Sequence, residues 1–75
     1  MTRQEFLESQ EQDLADEVVR DARTLQHLTR NVERRFNSGT RDRIIQVAIR
    51  LHDRRVQLDT VRRELNQLAA AALLD

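Results

Sequence analysis

The 75-residue chain has no cysteine, no proline, no lysine, no tryptophan and no tyrosine, and a single glycine. Without cysteine there is no disulfide framework and no thiolate metal site, and thiol usage says nothing about redox compartment. Without proline, and with Gly39 alone, almost nothing interrupts a helix. The two aromatics, Phe6 and Phe36, are too few for the stacking platforms of a single-strand nucleic-acid binder. No long hydrophobic run exists either. The longest, Leu68 to Leu74, falls far short of a bilayer span. The N-terminus is acidic and carries no apolar run, so no signal peptide is expected and the expected location is the cytoplasm.

What is present is Arg, Leu, Ala, Gln, Glu and Asp, the composition of long helices and coiled coils. All 13 basic residues are Arg, which points to GC-rich coding of a bacterial or phage kind. A chain of this length makes one domain, and a core of that size supplies only about 3–5 kcal/mol. Disulfides are excluded and two histidines make a poor metal inventory, so oligomerisation is the remaining source of stability. A partner, or a second copy, is expected.

Thr2-Arg3-Gln4-Glu5 fits a capping box at the start of a first helix. Ser9 and Gln12 offer a second start, which would leave the first residues as a separate turn. Asn37-Ser38-Gly39-Thr40 is the only strong punctuation. Asn37 or Gly39 would end the first helix in a left-handed conformation, and Thr40 would cap the second, with Asp42 complementing its dipole. The expected architecture is all-α. Two long antiparallel helices form a coiled-coil-like hairpin: helix one over 3–36, a turn at 37–40 and helix two over 41–72, one domain spanning 1–75.

Apolar spacing supports the hairpin. Helix two places Ile44, Val47, Leu51, Leu58, Val61, Leu65, Leu68 and Ala72 at alternating gaps of three and four, with Arg54 in one seam position. Arg54 is expected to snorkel past Asp21 or Asp53. Helix one carries Leu7, Leu14, Val18, Leu25, Leu28 and Val32, widened by Ala15, Ala22 and Phe36 and interrupted by Glu11, Asp21 and Arg35. A second stripe on helix two, Ile45, Ile49 and Val56 with His52 between them, lies about 120–180° from the first. A helix apolar on two faces is buried on two sides. The partner interface is therefore expected at Ile45, Ile49, His52, Val56, Leu68, Leu73 and Leu74, covered by a second hairpin in a four-helix bundle or by another protein.

Charge is uneven although the net is zero. Glu5, Glu8, Glu11, Asp13, Asp16 and Glu17 face only Arg3 in the first 17 residues, whereas residues 20–55 carry an excess of Arg. A hairpin would then be basic at its tip and acidic at its open end. Arg is the better fork for phosphate. A dimeric RNA- or DNA-binding hairpin using Arg34, Arg35, Arg41, Arg43, Arg54 and Arg55 is thus the alternative, set against zero net charge and missing stacking groups. Solvated faces and i,i+4 pairs such as Asp59 with Arg63 account for the same arginines.

Residues for catalysis do not assemble. Ser9 and Ser38 have no base at fixed spacing, no glycine-rich phosphate loop exists, and a two-helix layer has little concavity. A turn at 38–39 pairs position i with about 77 − i and brings His27 near His52 and Asp53, an incomplete ligand set. No metal, cofactor or small-molecule substrate is expected. The expected function is a non-enzymatic helical protein–protein interaction module: a small chaperone, adaptor or assembly subunit.

In length and topology the chain is similar to two bacterial hairpin classes. One is the plasmid RNA-binding hairpins that dimerise into four-helix bundles, a resemblance that implies RNA regulation. The other is the E-type co-chaperones of type III secretion needle proteins, whose glycine-containing turn is comparable to Asn37-Ser38-Gly39; this one implies a chaperone with a cognate subunit. The sporulation phosphatase hairpins carry a Ser-Gln-Glu-Leu-Asp motif on their second helix. Ala48-Ile49-Arg50-Leu51-His52-Asp53 lacks it.

Overall fold

In a computed structural model that describes residues 2–30 and 37–74, the chain is an all-α hairpin. Helix α1 spans Arg3–Arg30 and α2 spans Ser38–Leu74. They pack antiparallel along a rod of 59 × 17 × 15 Å. The expected extension of helix one to 36, with Val32, Arg34, Arg35 and Phe36, lies outside the described residues.

Thr2 starts α1. Its Oγ1 accepts the Glu5 N–H at 3.1 Å, and its carbonyl accepts the Phe6 N–H at 3.0 Å. The helix then runs without a break through Ser9, so the alternative start there is not used. Leu7, only 3 % exposed, anchors the first two turns to α2.

The start of α2 corrects the sequence expectation. Asn37 is the cap, not Thr40: its Oδ1 accepts the Thr40 N–H at 2.8 Å and its carbonyl accepts the Arg41 N–H at 3.0 Å. Ser38, Gly39 and Thr40 form the first turn, and no described residue has a left-handed φ. The asparagine oxygen satisfies an orphan donor of this turn, which makes Asn37 the beginning of α2 rather than the end of α1. At the other end α2 runs through Ala69–Ala72 to Leu74, two residues beyond expectation, as expected of the strongest helix former.

The seam follows the predicted stripes. Leu7 and Leu14 of α1 are buried with Val47, Leu51, Leu58 and Val61 of α2, and Ala15, Val18, Leu65 and Leu68 pack against them. Two helices cannot seal a core. No large side chain among the described residues is completely buried, and the radius of gyration, 17.1 Å, exceeds the roughly 11 Å of a compact domain of this length.

Cross-helix ion pairs report the register: Arg3 with Glu64, Glu11 with Arg62, Glu17 with Arg54 and Asp21 with Arg50. Position i faces about 71 − i in the middle of the rod, rather than 77 − i. Asn37 caps α2 and Ser38–Thr40 belong to it, so the turn at 37–40 that gives 77 − i is not used. Arg54 accordingly lies against Glu17, neither Asp21 nor Asp53.

Candidate interaction surface

Taking Val47 as the direction toward α1, a rise of 100° per residue puts Ile45, Ile49, His52 and Val56 within about 40° of the opposite side of α2. The structure leaves all four exposed: Ile45 49 %, Ile49 58 % and Val56 51 %, with His52 on the same line. The apolar residues of α2 therefore occupy two opposed faces, and α1 covers one. The far face of α1 differs. Glu5, Gln12, Asp16 and Arg23 line it, with Val19 near one edge and Phe6, half exposed, on the opposite flank. Val56 also borders an open groove between the helices, floored by Leu7, Leu14 and Val61.

The remaining predicted interface residues separate. Leu68 packs on the hairpin core and is only partly exposed. Leu73 and Leu74 are 88 % exposed on the last turn of α2, which projects past the start of α1, since Arg3 lies level with Glu64.

The arginines proposed for phosphate are scattered in role. Arg54 Nε stands 2.8 Å from Glu17 Oε2, close enough for an ion pair although the N–H is not aimed at that oxygen. Arg41 approaches Asp42 at 4.0 Å, and Arg43 and Arg55 are exposed. Arg34 and Arg35 lie outside the described residues. Beyond this set, Arg50 and Arg62 are engaged by Asp21 and Glu11. The dipole between tip and open end is thereby weakened, because Glu11 and Glu17 are neutralised within the hairpin. The expected Asp59–Arg63 pair does not form; both side chains stay in solvent.

Asp21 is the residue that sequence reasoning missed. It reads there as an interruption of the apolar stripe, yet it is 5 % exposed at the middle of the seam. Arg50 Nε and Nη2 both reach its Oδ1, at 3.1 and 3.0 Å, while Oδ2 is buried without a hydrogen-bond partner. With Glu17, Arg20 and Arg54 it forms a small polar layer. The signal was available: an acid on the α1 stripe facing arginines of α2, visible once the register is known. Chemically, the layer can fix register, since sliding α2 by one turn would strand a buried carboxylate.

His27 and His52 do not meet. The register puts His27 level with about Ile44, two turns from His52, and both rings are exposed. Among the described residues no group of three or more His, Asp or Glu is placed to hold a metal ion, and no helix is long and apolar enough to cross a membrane. No protein family, characterised protein or solved structure matches the chain.

Proposed function

We propose that this hairpin is a helical protein–protein interaction module whose contact surface is the outer face of α2, and that it works by binding rather than by catalysis. The observation that carries the reading is the half-exposed line of Ile45, Ile49 and Val56 on a helix already covered on its other side. Single exposed apolar residues are ordinary, but three β-branched residues in register on one face are a surface that association would cover. A small adaptor, chaperone or assembly subunit of bacterial or phage type fits this design, and a cytoplasmic location fits its composition. Binding of nucleic acid has less support, because the net charge is zero and Arg54 of the candidate set is engaged by Glu17.

Replacing Ile45 and Ile49 together by Lys tests the reading. Circular dichroism checks that the hairpin persists, and association and solubility are compared with the parent. Loss of self-association, or a clear rise in the solubility of an aggregation-prone parent, supports it. A parent that stays monomeric and fully soluble at millimolar concentration, with no change on substitution, contradicts it.

A further inference from the structure

Resting on that reading, we infer that the occupant of the α2 outer face is a second copy of this chain, packed antiparallel about a two-fold axis beside Arg50 and Leu51.

The face is self-complementary when reversed. Arg41, Ile45, Ile49, His52, Val56 and Asp59 follow one another at gaps of four, four, three, four and three, and all point away from α1 within about 80° of one another. Turn a second copy end for end and Ile45 lies opposite Val56, Ile49 opposite His52, and Arg41 within one residue of the position opposite Asp59. Each contact occurs twice, as an isologous interface requires.

Charge favours this direction: Arg41 and Asp59 lie on one edge of the face, where reversal brings them side by side, while Asp42 lies on the other edge. Asp59 has no ion-pair partner among the described residues, and Arg41 makes only the 4.0 Å approach to its neighbour Asp42. Antiparallel packing caps both ends of the apolar stripe with opposite charges. Parallel packing would set Arg41 beside Arg41 and Asp59 beside Asp59, which repel.

The rod as a whole leaves more surface uncovered than a compact monomer does. The chain exposes 6186 Å², whereas a compact monomer of its mass exposes about 4,800 Å². The excess, about 1,400 Å², is larger than the roughly 800 Å² that each partner contributes to a stable interface. Among the described residues nothing obstructs the approach, because α1 lies on the other side of α2. The stripe faces away from α1, with Val56 at the border of the groove between the helices, so the four helices would lie closer to a row, α1–α2–α2–α1, than to a square bundle.

Sedimentation equilibrium at low salt on the full chain tests the proposal, using the parent, Ile49→Asp, Arg41→Asp, Asp59→Arg and the double variant Arg41→Asp/Asp59→Arg. The parent is expected to show a monomer–dimer equilibrium and Ile49→Asp a helical monomer. Each single charge reversal weakens the dimer about three- to tenfold, and the double reversal restores it to within about twofold of the parent. A double variant no better than the singles overturns the antiparallel arrangement and leaves the interaction reading standing. A parent that stays monomeric overturns the second copy; if Ile49→Asp still raises its solubility, the surface belongs to another protein. An Ile49→Asp variant that dimerises like the parent overturns both this proposal and the assignment of the surface.

Discussion

Arg50 clamps a single oxygen of Asp21, Nε at 3.1 Å and Nη2 at 3.0 Å, and leaves the second oxygen of that buried carboxylate unpaired. The pair sits between two apolar stretches of the seam, where Leu or Val would otherwise stand. A buried charge is costly, and its partner offsets that cost only while it is present.

Two substitutions should therefore move stability in opposite directions. Arg50→Ala strands the Asp21 carboxylate and should cost about 1–3 kcal/mol. Asp21→Leu completes the apolar seam and leaves Arg50, about half exposed, in water; it should be neutral or stabilising by about 1–2 kcal/mol. Urea denaturation followed by circular dichroism measures both. An Asp21→Leu variant less stable than Arg50→Ala would show that the pair contributes more than it costs.

The fold was legible because helical periodicity is written into side-chain spacing. Val47, Leu51, Leu58 and Val61 follow from the three-and-four gaps, and Leu7 and Leu14 from the matching stripe. The register was not. It depends on whether Asn37 closes one helix or opens the next, and Asn and Gly serve at both ends of helices. Taking residues 37–40 as the turn misplaces the facing position by about six residues, and hides Asp21 opposite Arg50 and Glu17 opposite Arg54. The exposed stripe was legible as a pattern, since Ile45, Ile49 and Val56 stand apart from the seam.

The cap itself can be tested. Asn37→Ala removes the acceptor of the Thr40 N–H and should cost about 1 kcal/mol. Gly39→Ala gains helix propensity, but the added Cβ would meet Asn37 Oδ1 at 3.3 Å, closer than the cap tolerates without shifting. The gain from Gly39→Ala should accordingly be larger in the Asn37→Ala background than in the parent. Thermal melts of the four-member cycle give the coupling, and additive effects would contradict this placement of the cap.

The exposed ion pairs at the open end should matter little. Arg3 and Glu64 are 2.9 Å apart with both side chains well exposed, and Arg62 meets Glu11 at 3.3 Å. Arg3→Ala or Arg62→Ala should change stability by less than about 1 kcal/mol. Leu58→Ala, in the seam, should cost about 2–4 kcal/mol, most of what a hairpin this small possesses. Denaturation midpoints ordered the other way would mean that charge, not the seam, holds the helices together.

The central claim is that the outer face of α2 is an association surface, and the molar mass of the purified protein by light scattering tests it most directly, with helicity followed on dilution. The account predicts about twice the 8.9 kDa chain mass at high concentration, falling on dilution, and a helical monomer for Ile49→Asp. A stable, soluble and fully helical 8.9 kDa monomer at every concentration would contradict it, and would return Ile45, Ile49 and Val56 to the ordinary apolar residues of a protein surface.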